Sequence, residues 1–328
     1  MADQIRWGII GTGSICTSFA EALAMVPEAK LMAVGSRSKE KSKEFGEKFN
    51  IPHRHGTYEA LVSDPEVDAV YVGTPHTLHM DNTLLALKAG KHVLCEKPFC
   101  INATQAAKMI KLARDKKLFL MEAMWTRFFP VMSKVREWLR AGHIGEPRLV
   151  AADFGFRAGF DPKTRIFDPA LGGGALLDVG VYAISFASMA LGGAVGRIAS
   201  MANLGKSGVD EESAFILGFP GGKLAVLYSA VRLTTPWNGL ILGTEGKIEI
   251  ESPFWCPKVA KLEAGQTKIK FENDYQGRGD QFMAAEVTRC LRDGKLESDI
   301  MPLDESLAIM KTMDKIREQW KLKYPMEK

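Results

Sequence analysis

Short apolar runs alternate with amphipathic stretches through roughly the first 125 residues, with a period near 25. The runs predict strands at about 5–10, 31–36, 68–73, 92–95 and 118–121, and the stretches between them predict helices at about 15–25, 39–49, 78–89 and 103–116. Unbroken apolar runs are typical of strands buried on both faces, so this half predicts a parallel sheet covered by helices.

After Gly145-Glu146-Pro147 the pattern changes to strands joined by tight turns. Strand-like runs occupy 148–156, 214–219, 223–231, 239–242, 247–250 and 267–271, and helical stretches lie near 174–191, 278–293 and 303–321. Pro220–Gly222 and Gly243–Gly246 separate neighbouring runs as hairpin turns do. The sequence therefore predicts an α/β protein with two domains: residues 1–123 around the parallel sheet, and 124–328 around a mostly antiparallel sheet.

A glycine turn follows the first predicted strand. Such a turn aims backbone N–H groups and the positive end of a helix at a pyrophosphate. The third position of the fingerprint is Cys16, so the helix must pack on its strand around a larger side chain than usual. The turn is a weak signal alone, and it indicates a dinucleotide site formed by Gly11, Thr12, Gly13, Ser14 and Ile15.

Ser36 and Arg37 stand where dinucleotide folds place an acidic residue on the ribose 2′-hydroxyl. Arg37 and Lys41, one helical turn later, would bind a 2′-phosphate that no carboxylate repels there. The pattern favours NADP as cofactor, with NAD as the alternative. In the competing interpretation, both cations belong to the solvated face of a lysine-rich helix.

Lys97 directly follows a short apolar strand and precedes a proline. Ligands of doubly wound sheets bind beyond the carboxyl ends of the strands, so the loops 73–76 and 96–98 should face the nucleotide. A lysine in a loop is more often a solvated surface charge. Its position opposite a nucleotide turn makes Lys97 a candidate catalytic cation.

The segment from Gly172 to Tyr182 is the second candidate constellation. Asp178 and Tyr182 are four residues apart and would share a helix face. A tyrosine on an apolar helix is usually core filling, but this one follows a triple glycine and an aspartate. These groups suit hydride transfer coupled to removal of a hydroxyl proton. Whether Tyr182 takes that proton beside Lys97, or Lys97 takes it beside Tyr182, stays open.

Composition and residue spacing argue against several classes of protein: nucleic-acid-binding, secreted, membrane-spanning and metal-binding. The 43 basic and 39 acidic residues are spread along the chain, so no nucleic-acid surface is expected. Five cysteines without a C-x-x-C spacing, and a start unlike a signal peptide, predict a cytoplasmic protein with free thiols. The apolar stretch 179–195 is read as a buried helix, not a membrane span. His76 and His79 have no companion cluster, so no metal is expected.

The Gly11–Gly13 turn, the Glu96–Pro98 loop and the Gly172–Tyr182 segment, in this order, resemble the Gfo/Idh/MocA oxidoreductases. More specific strings resemble the dimeric dihydrodiol dehydrogenases within that family: Tyr71–Thr74, Val93–Pro98, Phe119–Ala123, Trp125–Pro130, Gly172–Asp178 and Trp255–Pro257. The resemblance covers essentially the whole chain and implies a Rossmann domain followed by an α+β domain with an open-faced antiparallel sheet.

The resemblance also implies an activity and a set of site residues. It implies NADP-dependent oxidation of D-xylose or trans-dihydrodiols by Lys97 and Tyr182, with Asp178 holding the substrate hydroxyls or positioning the lysine. The cofactor set extends to Thr74, Pro75, His76, His79, Glu96 and Lys97, and the substrate set comprises Trp125, Arg127, Phe154, Phe156 and Asp178. Relatives often dimerise through the flat sheet, so a homodimer is expected.

Two other hypotheses compete with a sugar or diol dehydrogenase. One keeps the fold but assigns another sugar or anhydrosugar reductase, because the wider family includes both reaction directions. The other is a dinucleotide-sensing regulatory protein without turnover. The presence of both Lys97 and Tyr182 argues against the sensor, which has no need of a proton-transfer pair.

Overall fold

The computed structural model describes residues 4–327 and divides into two compact units. The first unit extends to Trp125 and includes Gln276–Leu307; the second comprises Thr126–Tyr275 and resumes at Ala308. The sequence-based boundary after residue 123 lies two residues before this division. It also left 276–307 with the second domain, whereas the structure places that segment in the first unit.

The first unit is built on a six-stranded parallel sheet in the order β3-β2-β1-β4-β5-β6. Its strands are β1 (Ile5–Ile10), β2 (Ala29–Gly35), β3 (His53–His55), β4 (Ala69–Val72), β5 (His92–Glu96) and β6 (Leu120–Ala123). β4 and β6 are buried at every position, and β4 is apolar throughout, as is typical of a strand covered on both faces. The order reverses beside β1, and ligands of such sheets bind at that point.

Helices cover this sheet. They are α1 (Ser14–Leu23), α2 (Lys39–Lys48), α3 (Tyr58–Val62), α4 (His79–Lys88), α5 (Ala103–Lys116) and α8 (Asp280–Arg292). α8 lies far along the chain but packs against α1 and buries Met283, Ala284 and Val287. This packing is why the segment after residue 275 belongs to the first unit.

The second unit contains an eight-stranded sheet in the order β14-β13-β12-β11-β7-β10-β9-β8. Its strands are β7 (Pro147–Gly155), β8 (Arg197–Leu204), β9 (Asp210–Gly218), β10 (Leu224–Ala230), β11 (Gly239–Gly243), β12 (Gly246–Ile250), β13 (Val259–Ala264) and β14 (Thr267–Glu272). Only the β7 and β10 pair is parallel among these described strands. The predicted fold class, a parallel Rossmann-type sheet followed by a mostly antiparallel one, is confirmed.

The other α-helices of residues 4–327 are α6 (Pro130–Arg140), α7 (Val181–Leu191) and α9 (Leu303–Gln319). α7 packs on β7 and β10 within the second unit. The stretch Pro169–Leu191 is long and apolar enough to cross a membrane by length and composition, but 89% of its window is buried inside the protein. Core helices share these properties, so the stretch is weak support for a membrane span.

Two distant side chains hold the loop that leads into α7. Asp210 Oδ2 accepts a hydrogen bond from the backbone N–H of Leu176 at 2.6 Å, and Tyr324 Oη donates to the carbonyl of Gly173 at 2.6 Å. Both residues are fully buried, and burial raises the pKa of Asp210 to about 7. The backbone that carries Asp178 is therefore fixed by groups from β9 and from the C-terminal segment.

Candidate active site

The turn between β1 and α1 contains two glycines, and the absence of a side chain has a different effect at each. Gly11 has φ +114°, and a Cβ there would lie 3.0 Å from the carbonyl oxygen of Gly73. Gly13, the N-cap of α1, has an ordinary φ of −77°, and no described heavy atom lies within 4 Å of a Cβ built on it. The backbone requires glycine at position 11, whereas at position 13 the glycine leaves space for a ligand.

The structure accommodates Cys16, the departure from the fingerprint, by means of a glycine on the neighbouring strand. Cys16 is buried, and its Sγ lies 3.3 Å from the carbonyl oxygen of Gly73. A Cβ on Gly73 would lie only 2.5 Å from that sulfur. Burial raises the pKa of the Cys16 thiol to about 12, so it stays protonated and serves as a packing group.

A pocket of about 440 Å³ opens at this edge of the parallel sheet. Eight residues predicted for the cofactor line it: Gly11, Thr12, Gly13, Ser36, Arg37, Lys41, Thr74 and Pro75. Ser38, Tyr58 and Gly73 complete the described lining, and none of these eleven residues is acidic. Six predicted cofactor residues are not in that lining: Ser14, Ile15, His76, His79, Glu96 and Lys97.

Arg37 and Lys41 both line this pocket; Arg37 comes just before α2 and Lys41 lies in its first turn. Ser38 caps that helix by accepting a hydrogen bond from the backbone N–H of Lys41 at 3.2 Å. Burial raises the pKa of Tyr58, and the neighbouring Arg37 charge opposes that shift. The pocket therefore presents two cations and a neutral phenol, a donor set that suits a phosphate.

Lys97 follows β5 on a rigid, buried support. Tyr71 Oη donates a hydrogen bond to Glu96 Oε1 at 2.6 Å, and the backbone N–H of Lys97 donates to Glu96 Oε2 at 3.2 Å. Burial raises the pKa of Glu96 to about 7, against the Tyr71 hydrogen bond and the Lys97 charge. The ring of Tyr71 stacks on Phe19 of α1 with centroids 3.8 Å apart. The glycine-turn helix and the lysine loop thus share one buried contact.

His79 joins two loops of the first unit. Its Nδ1 lies 2.8 Å from the carbonyl oxygen of Pro98, and its Nε2 lies 2.8 Å from that of Thr74. The side chain is fully buried, so the structure assigns it a positioning role between the two loops. His76 begins a short 3₁₀ turn, His76–Leu78, just before α4. Contact of either histidine with the cofactor stays a prediction.

In the second unit, Asp178 and Tyr182 lie on consecutive helical segments. The sequence predicted one helix from about 174, but Leu176–Gly180 forms a π-helical turn before α7. Such turns are frequent at functional sites. Asp178 Oδ1 accepts a hydrogen bond from Arg165 Nη1 at 3.0 Å, with the carboxylate buried and the arginine partly exposed. Sequence reasoning missed Arg165, which lies thirteen residues before its partner.

An aromatic cluster in the second unit includes Tyr182 and reaches it through Phe154. Phe154 lies 5.4 Å from the Tyr182 ring and stacks on Trp255 at 3.4 Å between centroids. Trp237 packs edge-on against Trp255 at 5.3 Å, and Phe156 lies 6.5 Å from Phe154. Phe154 and Phe156 were predicted as substrate residues, whereas the two tryptophans were not. The cluster provides flat apolar faces that suit a sugar or diol ring.

Trp237 has an unusual backbone conformation for a bulky residue, with φ +67°. The backbone N–H of Trp237 donates a hydrogen bond to Asp153 Oδ2 at 2.7 Å, and the indole Nε1 of Trp237 donates to the Gly155 carbonyl at 2.6 Å. These contacts hold the indole in place against a cost of about 1–3 kcal/mol for the strained backbone.

The other predicted substrate residues are buried. Trp125 belongs to the first unit, where the Arg278 guanidinium lies 4.6 Å from its ring centroid. Arg127 belongs to the second unit, and its Nε and Nη2 donate to Oγ and the carbonyl oxygen of Ser185 at 2.9 and 2.7 Å. The structure therefore gives Arg127 a packing role against α7. Direct contact of Trp125 or Arg127 with substrate stays a prediction.

The predicted site residues form two groups, one in each unit. Lys97 and the nucleotide pocket lie in the first unit, and Asp178, Tyr182 and the aromatic cluster lie in the second. The pairing of Lys97 with Tyr182 joins the two groups and stays a prediction.

Comparison with known families assigns both units. Residues 5–124 match the GFO/IDH/MocA oxidoreductase family, described as an NAD-binding Rossmann fold, and residues 132–249 match the GFO/IDH/MocA C-terminal domain. Proteins named trans-1,2-dihydrobenzene-1,2-diol dehydrogenase are similar over nearly their full length. The Xenopus laevis protein is 38% identical over 98% of this chain and 99% of its own, and the Homo sapiens protein is 36% identical over 99% of both.

Solved structures show the same likeness. An aldose-aldose oxidoreductase from Caulobacter crescentus, complexed with glycerol, superposes with a TM-score of 0.88 at 28% identity, covering 97% of this chain and 98% of that one. A 3-ketoreductase from Actinomadura kijaniata, in complex with NADP and TDP-benzene, gives a TM-score of 0.84 at 29% identity, covering 96% and 97%.

Replacing Gly13 with alanine should separate ligand binding from folding. Because the backbone is unstrained and the space beside it is open, Gly13→Ala should change the free energy of unfolding by less than about 0.5 kcal/mol. The added methyl should nevertheless keep a pyrophosphate from approaching the backbone and weaken dinucleotide binding by roughly tenfold or more. Fluorescence titration and thermal unfolding measure the two effects.

The matched control is Gly90→Ala, after α4, which has open space but a φ of +81°. It should cost about 1 kcal/mol of stability and leave dinucleotide affinity unchanged. Wild-type affinity in Gly13→Ala would contradict the assignment of the turn.

Proposed function

Because the chain belongs to the GFO/IDH/MocA oxidoreductase family, we propose that it is an NADP-dependent dehydrogenase that oxidises a CH–OH group of a cyclic trans-diol or a sugar. The observation that carries the proposal is the full-length similarity, at 36–38% identity, to trans-1,2-dihydrobenzene-1,2-diol dehydrogenases. D-xylose is the sugar proposed from the sequence resemblance.

The first unit fits NADP. The cleft has an open space beside Gly13 for the pyrophosphate, and Arg37 and Lys41 are placed to bind a 2′-phosphate. An acidic side chain bound to the ribose 2′-hydroxyl would favour NAD, because it would repel the 2′-phosphate of NADP. None of the described lining residues is acidic. The NADP held by the Actinomadura kijaniata 3-ketoreductase supports the same choice.

In the proposed mechanism the Gly11–Gly13 turn, Arg37 and Lys41 would hold NADP, and the nicotinamide, when bound, would supply the hydride acceptor for oxidation of the carbinol carbon. Lys97 and Tyr182 act on the substrate hydroxyl: one accepts its proton as general base while the other polarises or orients the oxygen. A positive charge about 4 Å from an oxyanion, at an effective dielectric near 20, contributes on the order of 4 kcal/mol before desolvation is deducted. Asp178 orients the substrate hydroxyls while Arg165 holds its carboxylate, and the aromatic cluster built on the Phe154–Trp255 stack contacts the ring.

A second candidate keeps this chemistry but uses a keto sugar or an aldose in the reductive direction. The structural similarity to the Actinomadura kijaniata 3-ketoreductase and the Caulobacter crescentus aldose-aldose oxidoreductase favours it. A cytoplasmic location is also part of the proposal. It is supported by the cysteine usage, since none of the five described cysteines is in a disulfide.

A turnover screen tests the proposal. Wild-type protein should reduce NADP faster than NAD with trans-benzene dihydrodiol, trans-cyclohexanediol, D-xylose or another pentose. Lys97→Met should lower kcat by about 10²-fold or more, because it removes a charge that acts on the transition state, and should leave cofactor affinity within a few-fold. The absorbance of the reduced nicotinamide reports the rate.

Lys111→Met, an exposed lysine on α5, is the matched control and should keep wild-type turnover. A Lys97→Met protein with near-normal kcat would remove the lysine from the mechanism. Failure of every diol and sugar, in both reaction directions, would overturn the proposed activity.

We also propose a homodimer formed through the outer face of the second unit's sheet. α7 covers one face of this sheet, and alternate residues of β8, β9 and β10 expose apolar side chains on the other. Ile216 and Val226 are directly paired across β9 and β10 and are 47% and 42% exposed, and Met201 on β8 is 80% exposed. A continuous apolar strip of this kind is typical of a surface that a second copy covers.

Val226→Lys should break the dimer, because it places a charge at the centre of this strip. Light scattering at micromolar concentration should give the mass of two chains for wild type and of one chain for the variant. Leu296→Lys, an equally exposed leucine in the first unit, should stay dimeric. A monomeric wild type, or a dimeric Val226→Lys protein, would contradict this interface.

A further inference from the structure

Two histidines and an aspartate converge at the edge of the parallel sheet. His53 and His55 are the first and last residues of β3, so both side chains lie on the same side of that strand. Asp64 comes shortly after α3. Its Oδ2 lies 2.6 Å from His53 Nδ1 and 2.9 Å from His55 Nε2. Within residues 4–327 this is the only group of three such side chains whose ligand atoms all lie within 4.8 Å of one another.

The surroundings of these three groups match those of a metal centre. Glu66 Oε2 lies 3.2 Å from His53 Nε2, the ring nitrogen that faces away from Asp64. The backbone N–H of Glu66 donates to Asp64 Oδ1 at 2.9 Å, which leaves Oδ2 for the two imidazoles. Carboxylates that orient metal-binding histidines, and hydrogen bonds that orient ligating carboxylates, are the usual second layer of such sites.

The burial pattern provides both a fixed ligand and an entry path. The Asp64 side chain is only 4% exposed, whereas those of His53 and His55 are 32% and 23% exposed. Tetrahedral zinc with bonds of about 2.0–2.1 Å needs ligand atoms roughly 3.3 Å apart. The two histidine-to-Asp64 distances, 2.6 and 2.9 Å, are shorter than this, so metal binding would require the two partly exposed rings to move away from Asp64.

We propose that His53, His55 and Asp64 bind one Zn²⁺ ion, with water in the fourth position and Glu66 orienting His53. Two imidazoles and one carboxylate suit zinc, whereas Mg²⁺ prefers oxygen ligands only. The proposal departs from the sequence-based prediction that the chain binds no metal, which considered only the His76 and His79 pair. Sequence reasoning missed this site, because Asp64 lies nine residues after His55 and across α3 from it.

The proposed ion would connect β3, a three-residue strand at the edge of its sheet, to the loop between α3 and β4. Neither histidine nor Asp64 lines the nucleotide pocket, so the ion plays no part in the proposed oxidation. Its expected effect is stabilisation of the folded state by mass action, since the unfolded chain does not hold the three ligands together.

Calorimetric titration of cofactor-free, full-length protein with Zn²⁺ tests the proposal. We expect one ion per chain, no binding of Mg²⁺, and a higher thermal unfolding temperature with zinc. His55→Gln should weaken zinc binding at least a hundredfold, and Glu66→Gln by roughly 10–100-fold. His143→Gln, an exposed histidine of the second unit, should bind as wild type does.

Cobalt provides a readout that needs no variant. Co²⁺ bound at this site should show a low-coordinate absorption spectrum without a thiolate-to-cobalt charge-transfer band, because the site holds no sulfur. Absence of saturable one-to-one binding in the wild type would show a hydrogen-bonded His-Asp network only. A thiolate band, or unchanged zinc affinity in His55→Gln, would place the metal elsewhere. Each of these results would overturn the proposal.

Discussion

The close approach of α1 to the end of β4 is the constraint on which the first unit depends. Gly11 and Gly73 carry no side chain where the two segments meet, and the Cys16 thiol fills the space between them. This packing aims the start of α1 into the pocket and brings Phe19 onto Tyr71, whose hydroxyl holds Glu96 beside Lys97. Nucleotide cleft and lysine loop are therefore parts of one rigid assembly. A methyl group at position 73 would disturb both together.

Much of the fold could be predicted because its signals are local. β4 is a continuous apolar run and β5 has one at its centre, Val93–Cys95, and the turns at Pro220–Gly222 and after Gly243 have hairpin chemistry. β3 and α3 were missed because three and five residues are too short for a periodic pattern. α6, β8 and β13 were missed as well. The return of α8 to the first unit depends on packing between distant segments, which periodicity does not report.

In the candidate site, too, motifs of consecutive residues could be predicted, whereas contacts between residues far apart in the sequence could not. The glycine turn and the Ser36-Arg37 pair can be read from consecutive residues, and the structure finds them in one pocket. Tyr58, Arg165, Trp237 and Trp255 were not assigned to the site, because each reaches its partner across a loop or a sheet. Asp210 and Tyr324 support the Gly172–Tyr182 segment from still greater sequence distances. Such supports come from topology, and a single sequence does not reveal them.

The central claim is that Arg37 selects a 2′-phosphorylated dinucleotide, and the direct measurement is the ratio of dissociation constants for NADP and NAD in Arg37→Asp. The lost charge-assisted hydrogen bonds should weaken NADP binding by about 10–100-fold while NAD binding changes only a few-fold. Lys43→Asp makes the same charge change on α2, outside the pocket lining, and should leave the ratio unaltered. Equal losses of affinity for both nucleotides in Arg37→Asp would contradict the account.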